Sequence, residues 1–213
     1  MTDFSTRRVT MVDTQVRPSD VTKFPIIAAM LSVPREAFVP DTQREAAYVG
    51  LNVEFAAGRV VLEPRTLAKL LDFLDIAPGD LVLDVGTGLG YGAAVMAHMG
   101  AQVVALEATE MARSRLEQAG FDMVKLVSGP LQDGAPVEAP FDVILIEGGV
   151  EQVPVALLDQ LADGGRIGAI FMQGALGTVK IGRMQDGVVT WRYAFNATAP
   201  VLPGFATVAE FVL

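Results

Sequence analysis

The sequence contains no cysteine and only one histidine, His98. Without thiolates and with a single imidazole, a disulfide framework is excluded and a bound metal ion is not expected. No apolar run approaches the roughly 18–20 residues that a membrane-spanning helix needs, and no apolar stretch of a secretory signal follows the first residues. We therefore expect a cytoplasmic protein with no membrane partner.

Positive charge is also scarce, since 16 Lys and Arg stand against 25 Asp and Glu for a net charge of −9. Nucleic-acid partners require a positive surface, so this class of partner is not expected. Apolar residues make up 51% of the chain, which is enough for a sheet covered on both faces. The length of 213 residues predicts a single domain, with an N-terminal segment over 1–63 and a core over 64–213.

Apolar strands alternate with helices in the middle of the chain. The strands are predicted at Leu81–Val85, Gln102–Leu106, Met123–Val127, Val143–Ile146 and Arg166–Phe171, and the helices at Gly90–Met99, Thr109–Ala119 and Pro154–Leu161. Because these strands are nearly all apolar, they favour a parallel sheet buried on both faces.

The two ends of the chain have different patterns. At the N-terminal end, Thr22 is predicted to cap a helix through Leu31, and a brief β-like run covers Gly58–Leu62. At the C-terminal end, two strand-like runs join across Asp186-Gly187 as a hairpin, and Val208–Val212 is predicted as a last strand. These patterns predict an α/β fold with a helical cap and an antiparallel edge.

A glycine-rich loop, Asp84–Tyr91 (DVGTGLGY), directly follows the first predicted core strand and opens a helix. Glycines allow the backbone to turn tightly and approach a ligand, and the helix start offers free N–H groups. A dinucleotide-binding loop would have its third glycine at the position of Tyr91. The spacing instead favours an adenosylmethionine loop, in which Asp84 binds the ligand's ammonium and Glu107, at the end of the next strand, accepts the ribose hydroxyls.

Several separate segments resemble the protein-L-isoaspartate O-methyltransferases. These are Met11–Arg17, Ala29–Pro40, Ala47-Tyr48, Asp84–Tyr91, Phe141–Ile146, Val153-Pro154 and Leu161–Arg166. The resemblance spans about residues 10–172. It implies a Rossmann-like class I methyltransferase fold, with a seven-stranded, mostly parallel sheet, helices on both faces and an N-terminal helical cap.

The resemblance also implies an activity and a cofactor. The activity is methyl transfer from S-adenosyl-L-methionine to the carboxylate of isoaspartyl residues in damaged proteins, by a monomer or a dimer. The implied cofactor-binding residues are Asp84, Gly86, Thr87, Gly88, Gly90, Tyr91, Glu107, Ala108, Leu131 and Glu147.

The segment that would hold the methyl acceptor departs from the family. Where the family usually reads Gly-Gln-Thr-Ile-Ser-Gln-Pro, this chain has Gly58–Pro64 (GRVVLEP), so Leu62 occupies the serine position. Arg59 and Glu63 add charges there, and Glu147 replaces the threonine that usually ends the fourth core strand. Leucine cannot donate a hydrogen bond to a carboxylate.

Three accounts of these changes remain open. Arg59 could take over carboxylate recognition with its fork of donors. The acceptor could instead be a different molecule, or the chain could bind the cofactor with little turnover and serve as an interaction protein. A fourth, non-functional account makes Arg59 and Glu63 a surface ion pair, which contributes little energy.

Overall fold

The computed structural model describes residues 3–107 and 110–207. Its α-helices are α1 (Phe4–Met11), α2 (Phe24–Ser32), α3 (Pro64–Leu74), α4 (Tyr91–His98), α5 (Arg113–Gln118) and α6 (Val155–Leu158). Its strands are β1 (Val53–Ala56), β2 (Arg59–Val61), β3 (Leu81–Val85), β4 (Gln102–Glu107), β5 (Lys125–Ser128), β6 (Phe141–Val150), β7 (Leu161–Gln173), β8 (Leu176–Gln185) and β9 (Val188–Asn196).

Among the described residues, seven strands form one sheet in the order β5-β4-β3-β6-β7-β8-β9. The neighbouring strands from β5 to β7 pair in parallel, whereas β8 and β9 are antiparallel. The expected class I methyltransferase architecture is thereby confirmed. The strand order reverses beside β3, so the loops that follow β3, β4 and β6 meet at one edge, where open α/β sheets bind ligands.

Helix α3 shows how the sequence pattern fixes one face of this sheet. Pro64 occupies its first turn, where a missing N–H costs nothing, and Asp75 ends it in a left-handed conformation. The four leucines of the stripe are buried to 1% exposure or less: Leu67, Leu70, Leu71 and Leu74. Together with α2 and α4 they form the larger of the two core clusters.

The opposite face of the sheet is covered more thinly. Its core cluster includes Leu157 of α6, Leu131 of a short 3₁₀ turn, and Leu202 and Phe205 from the irregular segment after β9. The helix predicted over Pro154–Leu161 was too long, because β7 already begins at Leu161. Helices do lie on both faces, as expected, but irregular chain covers much of the second one.

The N-terminal segment differs in detail from its prediction. Helix α1 continues through a π-helical stretch, Val12–Val16, and a 3₁₀ turn, Arg17–Ser19. Thr22 is not the cap of α2: Lys23 holds that position, without a side-chain capping bond. The β-like run is half of a separate hairpin, in which β1 and β2 pair with Val53 opposite Val61.

Two further predictions concern a helix after β4 and a strand at the C-terminal end. The helix predicted over Thr109–Ala119 is a 3₁₀ turn at Glu110–Ala112 followed by α5. The strand predicted at Val208–Val212 lies outside the described residues. Within 3–107 and 110–207, no helix has the length and apolar character needed to cross a bilayer.

Candidate functional site

The glycine loop lies between β3 and α4 in a conformation that only glycine adopts easily. Gly86, Gly88 and Gly90 have φ values of 77°, 60° and 95°. At Gly88 there is also no space for a side chain, since an added Cβ would lie 2.8 Å from the ring of Phe55. The loop backbone is therefore fixed by its glycines and held directly under the β1–β2 hairpin.

Glu107, at the end of β4, is tied to this loop. Its Oε2 accepts a hydrogen bond of 2.8 Å from the Gly88 N–H, and the residue is only 2% exposed. The Gly86 N–H donates to the Leu106 carbonyl at 2.9 Å, which holds the loop against β4. The predicted acid is thus positioned at the carboxyl edge, in contact with the glycine loop.

Arg59, the first residue of β2, occupies both oxygens of this acid. Its Nη1 donates to Glu107 Oε1 at 2.8 Å and its Nη2 to Oε2 at 2.6 Å. Only 11% of the Arg59 side chain and 3% of the Glu107 side chain are exposed. Such a planar, two-bond pairing is the strongest form of an arginine–carboxylate contact.

This pairing corrects one of the sequence interpretations. Arg59 does not form a surface ion pair with Glu63. The Glu63 Oε1 instead accepts a hydrogen bond of 2.6 Å from the Thr66 hydroxyl in the first turn of α3. Nor does Arg59 present a free guanidinium to an acceptor in this conformation.

Apolar side chains complete the surroundings of the loop. An added Cβ on Gly86 would lie 3.2 Å from Leu202 and 3.7 Å from Leu131. The Arg59 guanidinium lies 5.4 Å from the Phe55 ring centroid. Phe55 and Leu202 were not among the predicted site residues. No local pattern in the sequence indicated them, because both reach the loop from distant segments.

Two further acids lie buried beside the loop, Asp84 on β3 and Glu147 on β6. Asp84 is fully buried and neither of its carboxylate oxygens has a hydrogen-bond partner within the described residues. Burial, with a contribution from the nearby Glu107 charge, raises the pKa of Asp84 to about 7. Burial and then the Asp84 charge raise the pKa of Glu147 well above its usual value.

Glu147 reaches the first turn of α4. Its carboxylate stands where a Cβ on Gly92 would be, so this turn also requires glycine. The parallel register places Ile146 opposite Val85, which brings Glu147 to the same edge as the glycine loop. Asp84 and Glu147 therefore form a buried acidic pair, in which burial and the charges of nearby carboxylates favour the protonated forms.

Arg35 is a site-supporting residue that the sequence interpretation did not identify. It is completely buried, and it donates 2.7 Å hydrogen bonds to the carbonyls of Ala47 and Leu62. Its guanidinium lies 4.7 Å from the ring centroid of Tyr91. The local sequence gave no signal for its burial, because Arg35 is followed directly by a second charged residue, Glu36.

The remaining predicted residues lie in different surroundings. Leu62 is fully buried in the larger core cluster. Thr87 is buried and its hydroxyl has no partner within the described residues, while Tyr91 packs against Arg35 and Phe38. Ala108 lies outside the described residues. Within those residues, no three metal-ligating side chains are placed to hold a metal ion.

Two solved structures share this architecture over more than nine-tenths of the chain. A protein-L-isoaspartate O-methyltransferase superposes with a TM-score of 0.80 at 24% identity, covering 92% of this chain and 66% of that one. A Plasmodium falciparum chain, solved as a candidate member of the same family in complex with S-adenosyl-L-homocysteine, gives 0.79 at 18% identity. That match covers 95% of this chain and 99% of that one. At these identities the likeness establishes the fold.

Proteins of similar sequence establish the family as well as the fold. The Koribacter versatilis protein-L-isoaspartate O-methyltransferase is 37% identical over 171 residues, covering 78% of this chain and 77% of the relative. The Methylorubrum extorquens enzyme of that name is 40% identical over 169 residues, covering 78% and 74%. The family model described as protein-L-isoaspartate(D-aspartate) O-methyltransferase matches residues 8–193. The chain therefore belongs to the protein-L-isoaspartate(D-aspartate) O-methyltransferase family.

Proposed function

We propose that the chain is an S-adenosylmethionine-dependent O-methyltransferase that acts on the carboxylate of isoaspartyl residues in proteins. The observation that carries the proposal is the contact between the Gly88 N–H and the Glu107 carboxylate at the sheet edge. It lies inside the region that matches the family, residues 8–193.

The residues at this edge suit the proposed cofactor. Glu107 is an acceptor of the kind that holds a ribose diol, and the glycine loop lets a ligand approach the backbone. Asp84 and Glu147 carry buried carboxylate oxygens, some without partners in the described chain, that can pair with a ligand ammonium. Occupation of Glu107 by a ribose requires that Arg59 give up its two hydrogen bonds. Approach of the ligand to the loop backbone also requires that the Phe55 ring move away from Gly88.

The chemistry demands little acid–base help from the protein. When bound, S-adenosylmethionine supplies a methyl group activated by a sulfonium. The acceptor carboxylate is already ionised near neutral pH, so no side chain has to remove a proton. The chain's contribution is to position the acceptor and to exclude water, which accounts for the lack of any histidine in the site.

The β1–β2 hairpin is suited to excluding water. Phe55 and Arg59 extend from it over the glycine loop, and Phe55 lies within van der Waals reach of Gly88. The Phe55 ring and Leu202 already lie against the loop, so a ligand under the hairpin must displace them and would then be covered by the hairpin. Electrostatic contacts in such a dry site are stronger than in water.

The proposal includes the cellular setting. Damaged proteins carrying isoaspartyl residues are the proposed partners, acted on in the cytoplasm by a monomer or a dimer. The lack of cysteine in the sequence is compatible with a reducing compartment.

Methyl transfer to paired peptides tests the proposed activity. An isoaspartyl peptide and its normal aspartyl twin are incubated with methyl-labelled S-adenosylmethionine, and base-labile label is counted. Selective labelling of the isoaspartyl peptide is the expected result. Labelling of another acceptor in a cell extract supports the divergent-enzyme account, whereas cofactor binding without any labelled product supports the interaction-protein account.

A further inference from the structure

Glu107 has little hydrogen-bonding capacity left in this conformation. A carboxylate offers about four lone-pair positions. Arg59 takes one on each oxygen, and the Gly88 N–H takes a further one on Oε2, so at least three are used. A diol cannot bind both oxygens of Glu107 unless the guanidinium withdraws.

Arg59 is placed so that it can withdraw without disturbing the main fold. It belongs to the two-stranded β1–β2 sheet, which is separate from the seven-stranded sheet that carries Glu107. Its other contacts are weak: a 3.3 Å hydrogen bond to the Gly86 carbonyl and the Phe55 ring at 5.4 Å. The Glu107 pairing is therefore the main interaction that fixes the guanidinium.

We propose that cofactor binding transfers Arg59 from Glu107 to the carboxylate of the methyl acceptor, so that Arg59 recognises the acceptor only after the cofactor is bound. This inference rests on the proposed function. Before binding, the pair keeps the buried Glu107 charge compensated. After the ribose hydroxyls take Glu107, the guanidinium loses its two-bond carboxylate partner in a mostly dry cleft.

The acceptor supplies the missing partner. A carboxylate matches the two-pronged donor geometry of arginine, and an unpaired charge in a dry site is costly. Leu62, at the position of the family serine, is fully buried and has no side-chain donor for a carboxylate. Arg59 lies on the same strand segment and carries the donors that Leu62 lacks.

Two substitutions at position 59 test the transfer. Arg59→Ala removes the competing guanidinium, and Arg59→Gln introduces the residue that the family usually has there. Both are titrated with S-adenosylhomocysteine by calorimetry, and the KM for an isoaspartyl peptide is measured. We expect cofactor affinity to rise about tenfold and the peptide KM to rise tenfold or more, so that the two constants change in opposite senses.

Arg166→Gln serves as the matched control. Arg166 forms an ion pair of the same 2.6 Å length with Asp80, at the opposite edge of the sheet. Its loss is expected to leave both constants within twofold of the wild type. Thermal denaturation of each variant, with and without S-adenosylhomocysteine, shows whether the protein is folded and binds.

The outcomes separate this inference from the proposed function. Wild type and variants that all fail to bind S-adenosylhomocysteine would reject the proposed function. If the wild type binds and methylates, unchanged or weaker cofactor affinity in both Arg59 variants would overturn the transfer. An unchanged peptide KM would equally overturn it. Peptide that binds the wild type as tightly without cofactor as with it would contradict the order of binding.

Discussion

Arg59 and Glu107 are 48 residues apart in the sequence and meet through two hydrogen bonds of 2.8 and 2.6 Å. This contact joins the acceptor segment, which contains β2, to the acid proposed to hold the ribose. The two halves of the proposed site are therefore linked by one side chain. A substitution of Glu107 should therefore affect binding of the acceptor, and a substitution of Arg59 should affect binding of the cofactor.

Leu62→Ser restores the hydroxyl that the family usually has, but it should not restore a family-like acceptor site. Leu62 is fully buried in the core, so a serine there loses apolar contacts and buries a hydroxyl. We expect the free energy of unfolding to fall by about 3 kcal/mol, measured by urea denaturation. Leu51→Ser, at a leucine that is 67% exposed, should cost far less. A lower peptide KM in a stable Leu62→Ser protein would contradict this account.

Arg35→Met tests the buried link between the N-terminal segment and the site. The substitution leaves the carbonyls of Ala47 and Leu62 without their donor, and each unsatisfied buried group costs about 1–3 kcal/mol. We expect a large loss of stability in urea denaturation. Arg17→Met, at a half-exposed arginine paired with Asp13, should change stability by less than about 0.5 kcal/mol. Equal effects of the two substitutions would show that Arg35 is not structurally required.

The acidic pair predicts an unusual pH dependence of stability. Because the folded pKa of Asp84 is raised to about 7, the native state keeps a proton that the unfolded state has lost. The free energy of unfolding should therefore fall as pH rises from about 4 toward 7, by at most about 1.4 kcal/mol per pH unit for one such group.

Asp84→Asn removes that titration while keeping the size of the side chain. Urea denaturation between pH 5 and 8 should show a shallower decline in the variant than in the wild type. Asp122→Asn, at an exposed aspartate, is the control and should retain the wild-type slope. Identical slopes in wild type and Asp84→Asn would show that Asp84 does not carry the retained proton.

The sequence predicted those parts of the site that depend on local pattern. The bounds of β3 agree with the apolar run Leu81–Val85, and the glycine loop follows it as expected. Glu107 lies at the predicted edge, because the end of an apolar strand next to a glycine loop is readable from spacing alone. The family resemblance is confirmed by the matching family model. The assignment of individual residues to the cofactor remains a prediction.

The predictions that were wrong or missing concern contacts between segments that are distant in the sequence. Nothing near Arg59 in the sequence indicates that its partner is Glu107 instead of the nearby Glu63. The pairing of Asp84 with Glu147 depends on β3 and β6 being neighbours in the sheet. Short helices such as α6 were overestimated because a helical apolar spacing continues directly into the first residue of β7.

The most direct measurement is a calorimetric titration of the wild type and Glu107→Ala with S-adenosylhomocysteine, with Glu117→Ala at an exposed position as control. We predict saturable binding at a single site in the wild type and the control. Affinity in Glu107→Ala should be weaker by about tenfold or more, which corresponds to about 1.4 kcal/mol. No detectable heat from the wild type at millimolar ligand, or equal affinity in all three proteins, would contradict the assignment of this sheet edge to the cofactor.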